Sequence, residues 1–174
     1  MATTTTTVRG VLPGTKLRVG SLIMAIGGAG FIGYGVLFFF RNFGSFLELG
    51  IGRGEVNVSK AQIKHFSPSL YDYISHLHIA LSGFIAATGL AVIALAWFGV
   101  RRGQFWAWVA AVAVPVLALA VALPAHYPNH LDTLRHLGLI YADTLLFVVG
   151  AVVAFVGLRE QSPDPFAARP AGAP

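Results

Sequence analysis

Four long runs of apolar residues constrain this chain more than any other feature of its sequence. Residues 19–40 contain no charged residue over 22 positions, and residues 77–100 and 105–125 are also free of charge. A fourth run, residues 137–158, carries Asp143 as its only formal charge. An α-helix rises about 1.5 Å per residue, so each run can cross a hydrocarbon core of about 30 Å. The sequence therefore predicts an all-α membrane protein with four transmembrane helices in an antiparallel bundle.

The composition agrees with this interpretation and excludes several kinds of site. Only 11% of the residues are charged, against about 25% in soluble domains, and the mean hydropathy is +0.71. The chain has no cysteine, which excludes iron–sulfur clusters and c-type haem. The net charge of +5 is spread over loops and tails, so we expect the lipid bilayer and not a nucleic acid as a partner.

The apolar runs divide the chain into one membrane domain and two tails. We expect a flexible N-terminal tail over residues 1–16, a four-helix transmembrane domain over residues 17–158 and a disordered C-terminal tail over residues 159–174. The spans within the domain are expected at about residues 19–40, 68–100, 105–125 and 130–158.

A loop of 34 residues, 41–74, joins the first two spans and has patterns of its own. Residues 46–49 and 55–58 alternate apolar and polar positions beside glycines, which predicts a short β-hairpin. The pattern Ser-x-x-Gln at residues 59–62 predicts a short capped helix, and Ser-Pro at residues 67–68 predicts the start of the second span. The loop is more apolar than a solvated loop, so we expect it to pack over the mouth of the bundle.

The distribution of positive charge predicts the orientation of the chain. Four spans place both termini and the Arg101–Arg102 turn on one side, which then has seven of the twelve Lys and Arg residues. The positive-inside rule predicts that this side is cytoplasmic. All six histidines then fall on the extracytoplasmic half of an integral protein of the cell membrane.

Gly28, Gly30 and Gly33 in the first run spell the dinucleotide-binding pattern G-x-G-x-x-G. That pattern needs a preceding strand and a βαβ unit, whereas here it lies inside a membrane-length run. Glycines at such spacing in an apolar helix favour close approach of a neighbouring helix. We therefore expect helix packing at these positions and no NAD site.

The second and fourth helices are expected to begin alike. Asp72 precedes His76 by four residues, and Asp132 precedes His136 by four, with an offset of sixty residues between the two pairs. Residues four apart share a helix face, so each helix would present a carboxylate and an imidazole together as it enters the membrane. Asp143 lies two turns beyond His136 and would extend that face.

Two facing pairs would supply two carboxylates and two imidazoles, a ligand set suited to zinc, copper or ferrous iron. The candidate metal ligands are therefore Asp72, His76, Asp132 and His136, with His126 and His130 as secondary candidates. His76 and His78 cannot both face one site on a regular helix, because residues two apart point to nearly opposite faces. In the alternative interpretation, each Asp–His pair only stabilises the start of its own helix.

Asp143 is the most costly of these groups, because a carboxylate inside a bilayer normally faces a protein interior or water. Asp143 and His136 are thus the candidates for catalysis or for proton or quinone chemistry. The alternative role of Asp143 is a hydrogen bond to a neighbouring helix, for example to Ser82. Haem b would need two facing imidazoles, for which His76 with His136 is the suitable pair, and it ranks below a metal ion.

The turn Trp-Phe-Gly-Val-Arg-Arg-Gly-Gln-Phe-Trp-Ala-Trp at residues 97–108 and the His-Leu start of the fourth helix carry a resemblance. They resemble small four-helix integral membrane proteins of high-GC bacteria, over most of residues 68–158. The resemblance implies a helical membrane fold and no particular activity.

From the residues, we expect a small membrane protein with an extracytoplasmic His/Asp site at the mouth of the bundle. Such a site would bind a metal ion, or handle a proton or a small apolar ligand. One alternative is a non-catalytic accessory subunit of a larger membrane complex, such as a respiratory or redox complex, or a homo-oligomer. A further alternative is a membrane-embedded enzyme that acts on a lipid-like substrate by His/Asp acid–base chemistry.

Overall fold

The computed structural model describes residues 14–45 and 49–161, and its regular elements within these ranges are helices. Helix α1 comprises Thr15–Phe43, and two short helices follow it, α2 (Arg53–Val56) and α3 (Lys60–Phe66). Three long helices complete the described chain, namely α4 (Pro68–Ala94), α5 (Phe105–Ala122) and α6 (Leu134–Gln161). Helix α4 continues through a π-helical turn, Leu95–Gly99, and a 3-10 turn, Val100–Arg102, and a second 3-10 turn, Leu123–Ala125, follows α5.

Four of these helical segments are long and apolar enough to cross a membrane, as the sequence predicts. They are Thr15–Phe43, Pro68–Arg102, Phe105–Ala125 and Leu134–Gln161. The outer two extend into the expected tails, where Lys16 of α1 forms an ion pair with Glu160 of α6. The rest of both tails, residues 1–13 and 162–174, lies outside the described residues.

The capping signals of the loop predict two helix starts correctly. Ser59 Oγ accepts a hydrogen bond from the Gln62 backbone N–H at 3.2 Å, and Gln62 returns one from its Oε1 to the Ser59 N–H at 2.8 Å. Ser67 Oγ accepts from the Leu70 N–H at 3.2 Å, with Pro68 at the first helical position of α4. Each side chain satisfies a backbone N–H that the first turn of a helix leaves free.

The predicted hairpin does not form at its second strand. Glu55 and Val56 belong to α2, and the Glu55 carboxylate accepts a hydrogen bond from the Gly52 N–H at 2.8 Å. Asn57 ends this turn in the left-handed conformation, with φ of 53°. The local hydrogen bond thus favours a helical turn over extended backbone, while residues 46–48 of the first strand lie outside the described residues.

Helix α6 begins four residues later than the sequence indicates, at Leu134 and not at residue 130. Asn129, which directly precedes the expected start, does not cap the helix but donates from its Nδ2 to the carbonyl oxygen of Ala125 at 2.7 Å. Thr133 takes the capping role, because its Oγ1 accepts from the His136 N–H at 3.3 Å. Asp132 consequently precedes the helix and does not share a helical face with His136.

Helix α1 lies at the centre of the bundle, because it packs along both α4 and α6, while those two make no comparable contact with each other. Glycines on two faces of α1 permit this close approach. A Cβ atom added at Gly28 would lie 2.8 Å from the carbonyl oxygen of Gly89 in α4, and one at Gly20 would collide with the backbone of Ala154 in α6. The sequence left open whether the second and fourth spans are neighbours, and in the structure both pack on α1 and not on each other.

Helix α5 packs closely only in its first half. Its buried residues are Ala107, Ala111 and Pro115, which follow one another at four-residue intervals on one face. A Cβ atom at Gly99 would collide with Ala107, and Trp108 donates from its Nε1 to the carbonyl oxygen of Ala151 in α6 at 2.9 Å. Beyond Pro115, no residue of α5 is fully buried.

The segment between α1 and α4 packs against the ends of the long helices. Lys60 donates from its Nζ to the carbonyl oxygens of Asn42 and Phe43 at 3.3 and 3.1 Å, which satisfies acceptors at the end of α1. At the other side, Gly50 lies against the backbone of Arg135 and His136 with φ of +81°, a conformation that favours glycine. These contacts agree with the expectation that the loop packs on the bundle.

Candidate functional site

The four primary metal candidates do not converge. Asp72, His76 and Asp132 are exposed, whereas His136 is 1% exposed. Within residues 14–45 and 49–161, no group of three or more His, Cys, Asp or Glu residues is arranged to hold a metal ion. The structure does not bring the four residues together, for two physical reasons: α4 and α6 pack on α1 and not on each other, and Asp132 precedes α6.

His136 is engaged in a structural contact with the loop. A carbonyl oxygen only accepts, so the ring carries its proton on Nδ1 and donates to the carbonyl oxygen of Leu49 at 2.6 Å. The adjacent Gly50 brings the loop backbone against the start of α6. His136 thus fastens the loop to the bundle, and it does not line either of the cavities described below.

The secondary candidates divide in the same way. The His126 ring lies 5.2 Å from the His136 ring, and its Nδ1 is 3.0 Å from the carbonyl oxygen of Ala122. His130 is exposed and has φ of 55°. Only two imidazoles meet here, so the cluster falls short of a metal-binding group. The haem pair of His76 and His136 is not brought together, because their helices lie on different sides of α1.

The buried histidine of α4 is His78, which the sequence interpretation passed over in favour of His76. Its side chain is 8% exposed, and its ring lies 4.0 Å from the ring of Phe38 in α1. Ser82 and Gly89, four and eleven residues later, are also buried against α1. This spacing marks one helix face and is the signal that could have identified His78.

Asp143 lines a cavity of about 520 Å³ between α1, α5 and α6. Apart from Asp143 and the phenol of Tyr34, its walls are apolar or glycine: Gly30, Phe31, Gly33, Leu37, Ile85, Ala118, Leu119, Ala122, Leu139, Ile140, Ala142 and Leu146. Gly30 makes room for the carboxylate, because a Cβ atom there would collide with Asp143 Oδ1. Gly33 faces open space, since an added Cβ would meet nothing within 4 Å.

The Asp143 carboxylate has no hydrogen-bond or ion-pair partner in the part of the chain that the structure describes. The alternative bond of Asp143 to Ser82 does not form, because Ser82 donates from its Oγ to the carbonyl oxygen of Ile79 in its own helix at 2.6 Å. Ser82 also lies against Gly35, whereas Asp143 lies against Gly30 on the α6 side of α1. The carboxylate is therefore available to a molecule in the cavity.

A second cavity of about 490 Å³ adjoins the first. The two share six lining residues, Phe31, Tyr34, Ile85, Ala118, Ala122 and Ile140, and we refer to the pair as the cleft and to each cavity as one of its arms. We call these the Asp143 arm, between α1, α5 and α6, and the His126 arm, between α1, α4 and α5. Neither arm has a Lys or Arg residue in its lining.

The cleft has the chemistry of a ligand site. It is concave and mostly apolar with a few polar groups, which is the usual composition of small-molecule pockets. Acid–base catalysis by a carboxylate and an imidazole would need a histidine beside Asp143, and His126 lines only the other arm. The predicted pairing of Asp143 with His136 does not occur in the cleft.

Comparison of the chain with protein-family models, with curated proteins and with solved structures found no match. The functional conclusion therefore depends on the geometry of the cleft alone.

Proposed function

We propose that the chain is a multi-pass protein of the cell membrane, with its four long helices antiparallel and both termini cytoplasmic. The contacts of α1 support the arrangement, because Gly20, Gly27 and Gly30 meet Ala154, Phe147 and Asp143 in descending order along α6. The arginines of the turn between α4 and α5 support the orientation, because Arg101 and Arg102 lie on the side of both termini. Arg101 lies 4.3 Å from the ring of Trp97, and Phe105 and Trp106 are exposed beside this turn, as at a membrane–water interface.

In this membrane setting, the protein binds a small, mostly apolar ligand in the two-armed cleft, and Asp143 holds the polar group of that ligand. The observation that carries the proposal is a carboxylate without a partner in an apolar cavity large enough for a ligand. A carboxylate at such a place is costly, which favours a functional role over a structural one. The wide separation of the histidines favours binding over catalysis.

The test is photolabelling of the protein in lipid nanodiscs with the apolar reagent trifluoromethyl-phenyldiazirine. We expect saturable labelling of the cleft walls, which mass spectrometry distinguishes from the nonsaturable labelling of lipid-facing residues. Gly33→Leu fills the Asp143 arm without a collision at Cβ and should abolish the saturable component.

Gly83→Leu is the matched control, because Gly83 also meets nothing within 4 Å but lines neither arm. It should leave the saturable labelling unchanged. Labelling that never saturates in the wild-type protein would refute the proposal and favour the accessory-subunit alternative. The same conclusion would follow if Gly33→Leu and Gly83→Leu behaved alike.

A further inference from the structure

The chemistry of the cleft also specifies the charge of its ligand, an inference that rests on the proposed function. We propose that the ligand is a cationic amphiphile, in which an ammonium group contacts Asp143 and one apolar chain occupies the His126 arm.

The unpaired carboxylate of Asp143 favours a cationic ligand. Asp143 has no cationic partner among residues 14–45 and 49–161. Ionisable residues within a membrane normally pair with one another. Attraction between opposite charges strengthens as the surrounding dielectric constant falls, so an ammonium group gains more from this carboxylate in an apolar cavity than at the surface.

The lining of the cleft disfavours anionic and neutral ligands. An anionic ligand would need a cation in the cleft, and neither arm is lined by Lys or Arg. The carboxylate of a fatty acid would instead meet Asp143 and be repelled. A neutral alcohol can donate one hydrogen bond to the carboxylate, but it supplies no compensating charge. The apolar walls do not compensate for the missing charge of an alcohol. Its alkyl chain gains no more from these walls than from the equally apolar lipid tails of the bilayer.

The shape of the His126 arm suits one long chain. The arm follows α5 and the 3-10 turn after it from Val114 to His126, a length of about 20 Å at the rise of these helices. Its polar side chains are Tyr34, Thr88 and His126; Thr88 donates from Oγ1 to the carbonyl oxygen of Phe84, and His126 Nδ1 contacts that of Ala122. The arm is therefore a long, mostly apolar groove that shares six lining residues with the Asp143 arm. An alkyl or isoprenoid chain fits this groove.

Three probes of equal chain length and different head group test the inference: dodecylamine, dodecanol and dodecanoate. Each competes with trifluoromethyl-phenyldiazirine for the saturable labelling of the cleft in nanodiscs of neutral lipid. We expect dodecylamine to displace the reagent at a concentration at least about tenfold lower than dodecanol, and dodecanoate to be the weakest. In Asp143→Asn, the preference for the amine should fall to less than about threefold.

Thr144→Val is the matched control, because Thr144 neighbours Asp143, lines neither arm and donates to the Ile140 carbonyl oxygen of its own helix. It should keep the full preference for the amine. Equal potency of dodecanol and dodecylamine in the wild-type protein would overturn the inference while the proposed function stands. The relative potency of the three probes on the wild-type protein tests the charge of the ligand even if Asp143→Asn does not fold. An amine preference that persists in a folded Asp143→Asn protein would also overturn it, whereas absence of any saturable labelling would overturn the proposed function itself.

Discussion

Helix α5 has two halves that differ in how they meet the rest of the bundle. Before Pro115, small residues let it approach its neighbours closely, with Ala107 against Gly99 and Trp108 hydrogen-bonded to Ala151. Beyond Pro115, Ala118 and Ala122 face the cleft, and Leu117 and Val121 are exposed. The half of α5 before Pro115 therefore holds the bundle together. Because that half supplies the close contacts, the half beyond Pro115 can border a cavity.

Glycine shows the same contrast on the other long helices. Gly28 and Gly89 meet at the contact of α1 with α4, and a Cβ atom added at Gly150 would lie 2.7 Å from the backbone nitrogen of Met24. Gly33 and Gly83, by comparison, face open space. Glycine in a membrane helix thus has two different uses here, and sequence spacing alone does not distinguish them.

The largest effect is expected from adding one methyl group at a closed glycine. Gly89→Ala should destabilise the protein by about 1–3 kcal/mol, because the new Cβ would collide with the Gly28 carbonyl oxygen. Gly83→Ala should stabilise it by about 0.5–1 kcal/mol, because alanine is the better helix former and has room. Unfolding in a mixed-micelle denaturant series measures both. If both substitutions changed the free energy of unfolding in the same direction, the contrast between closed and open glycines would be contradicted.

The second prediction concerns the histidines at the loop end of the bundle. His136→Ala should cost about 1–3 kcal/mol, because it removes a buried ring and leaves the Leu49 carbonyl oxygen without its donor. The exposed His76 should change stability by less than about 0.5 kcal/mol when replaced by alanine. Thermal unfolding of the single and double variants should show additive effects, within about 0.3–0.5 kcal/mol, and no response to a chelator. Strong coupling between the two sites would restore the shared metal site.

The smallest effect is expected at the exposed turn α2. The backbone hydrogen bond from Gly52 lowers the pKa of the Glu55 carboxyl below its ordinary value of 4.5. A lowered pKa means that the bond contributes stability above the ordinary pKa and loses it as pH falls through the lowered value. Hydrogen exchange at the Gly52 amide should therefore be protected near neutral pH and should lose protection in acid. Glu55→Gln should show little dependence of that protection on pH over the same range.

Much of the local structure was predictable from sequence, because its determinants are local. Charge-free runs mark the four long helices, and the Ser59 and Ser67 capping signals mark two helix starts correctly. Asp143 was identifiable as a single charge in an apolar run. The start of α6 was missed because the Asn129 side chain bonds back to Ala125, and Thr133, which the sequence interpretation did not consider, accepts from the His136 N–H instead.

The pairing of the helices was not predictable in the same way. A membrane helix is apolar on nearly every face, so its sequence does not mark which face meets a neighbour. The central position of α1 arises from glycines that face α4 at Gly28 and Gly35 and α6 at Gly20 and Gly27. Because the sequence does not reveal this arrangement, His76 and His136 were plausible partners. For the same reason, the cleft beside Asp143 could not be predicted.

The bundle is closely packed along α5 before Pro115 and borders the cleft beyond it. Ala111 and Ala118 lie two turns apart on one face of α5, and Ala111 is fully buried whereas Ala118 lines both arms. The chain has no cysteine, so a single introduced thiol can be followed without background.

The most direct measurement is the rate at which N-ethylmaleimide modifies Ala111→Cys and Ala118→Cys in nanodiscs. The account predicts that the thiol at position 118 reacts at least about tenfold faster than the thiol at position 111, and that dodecylamine slows its reaction. Equal rates at the two positions would contradict the account, because they would mean that the two halves of α5 are packed alike.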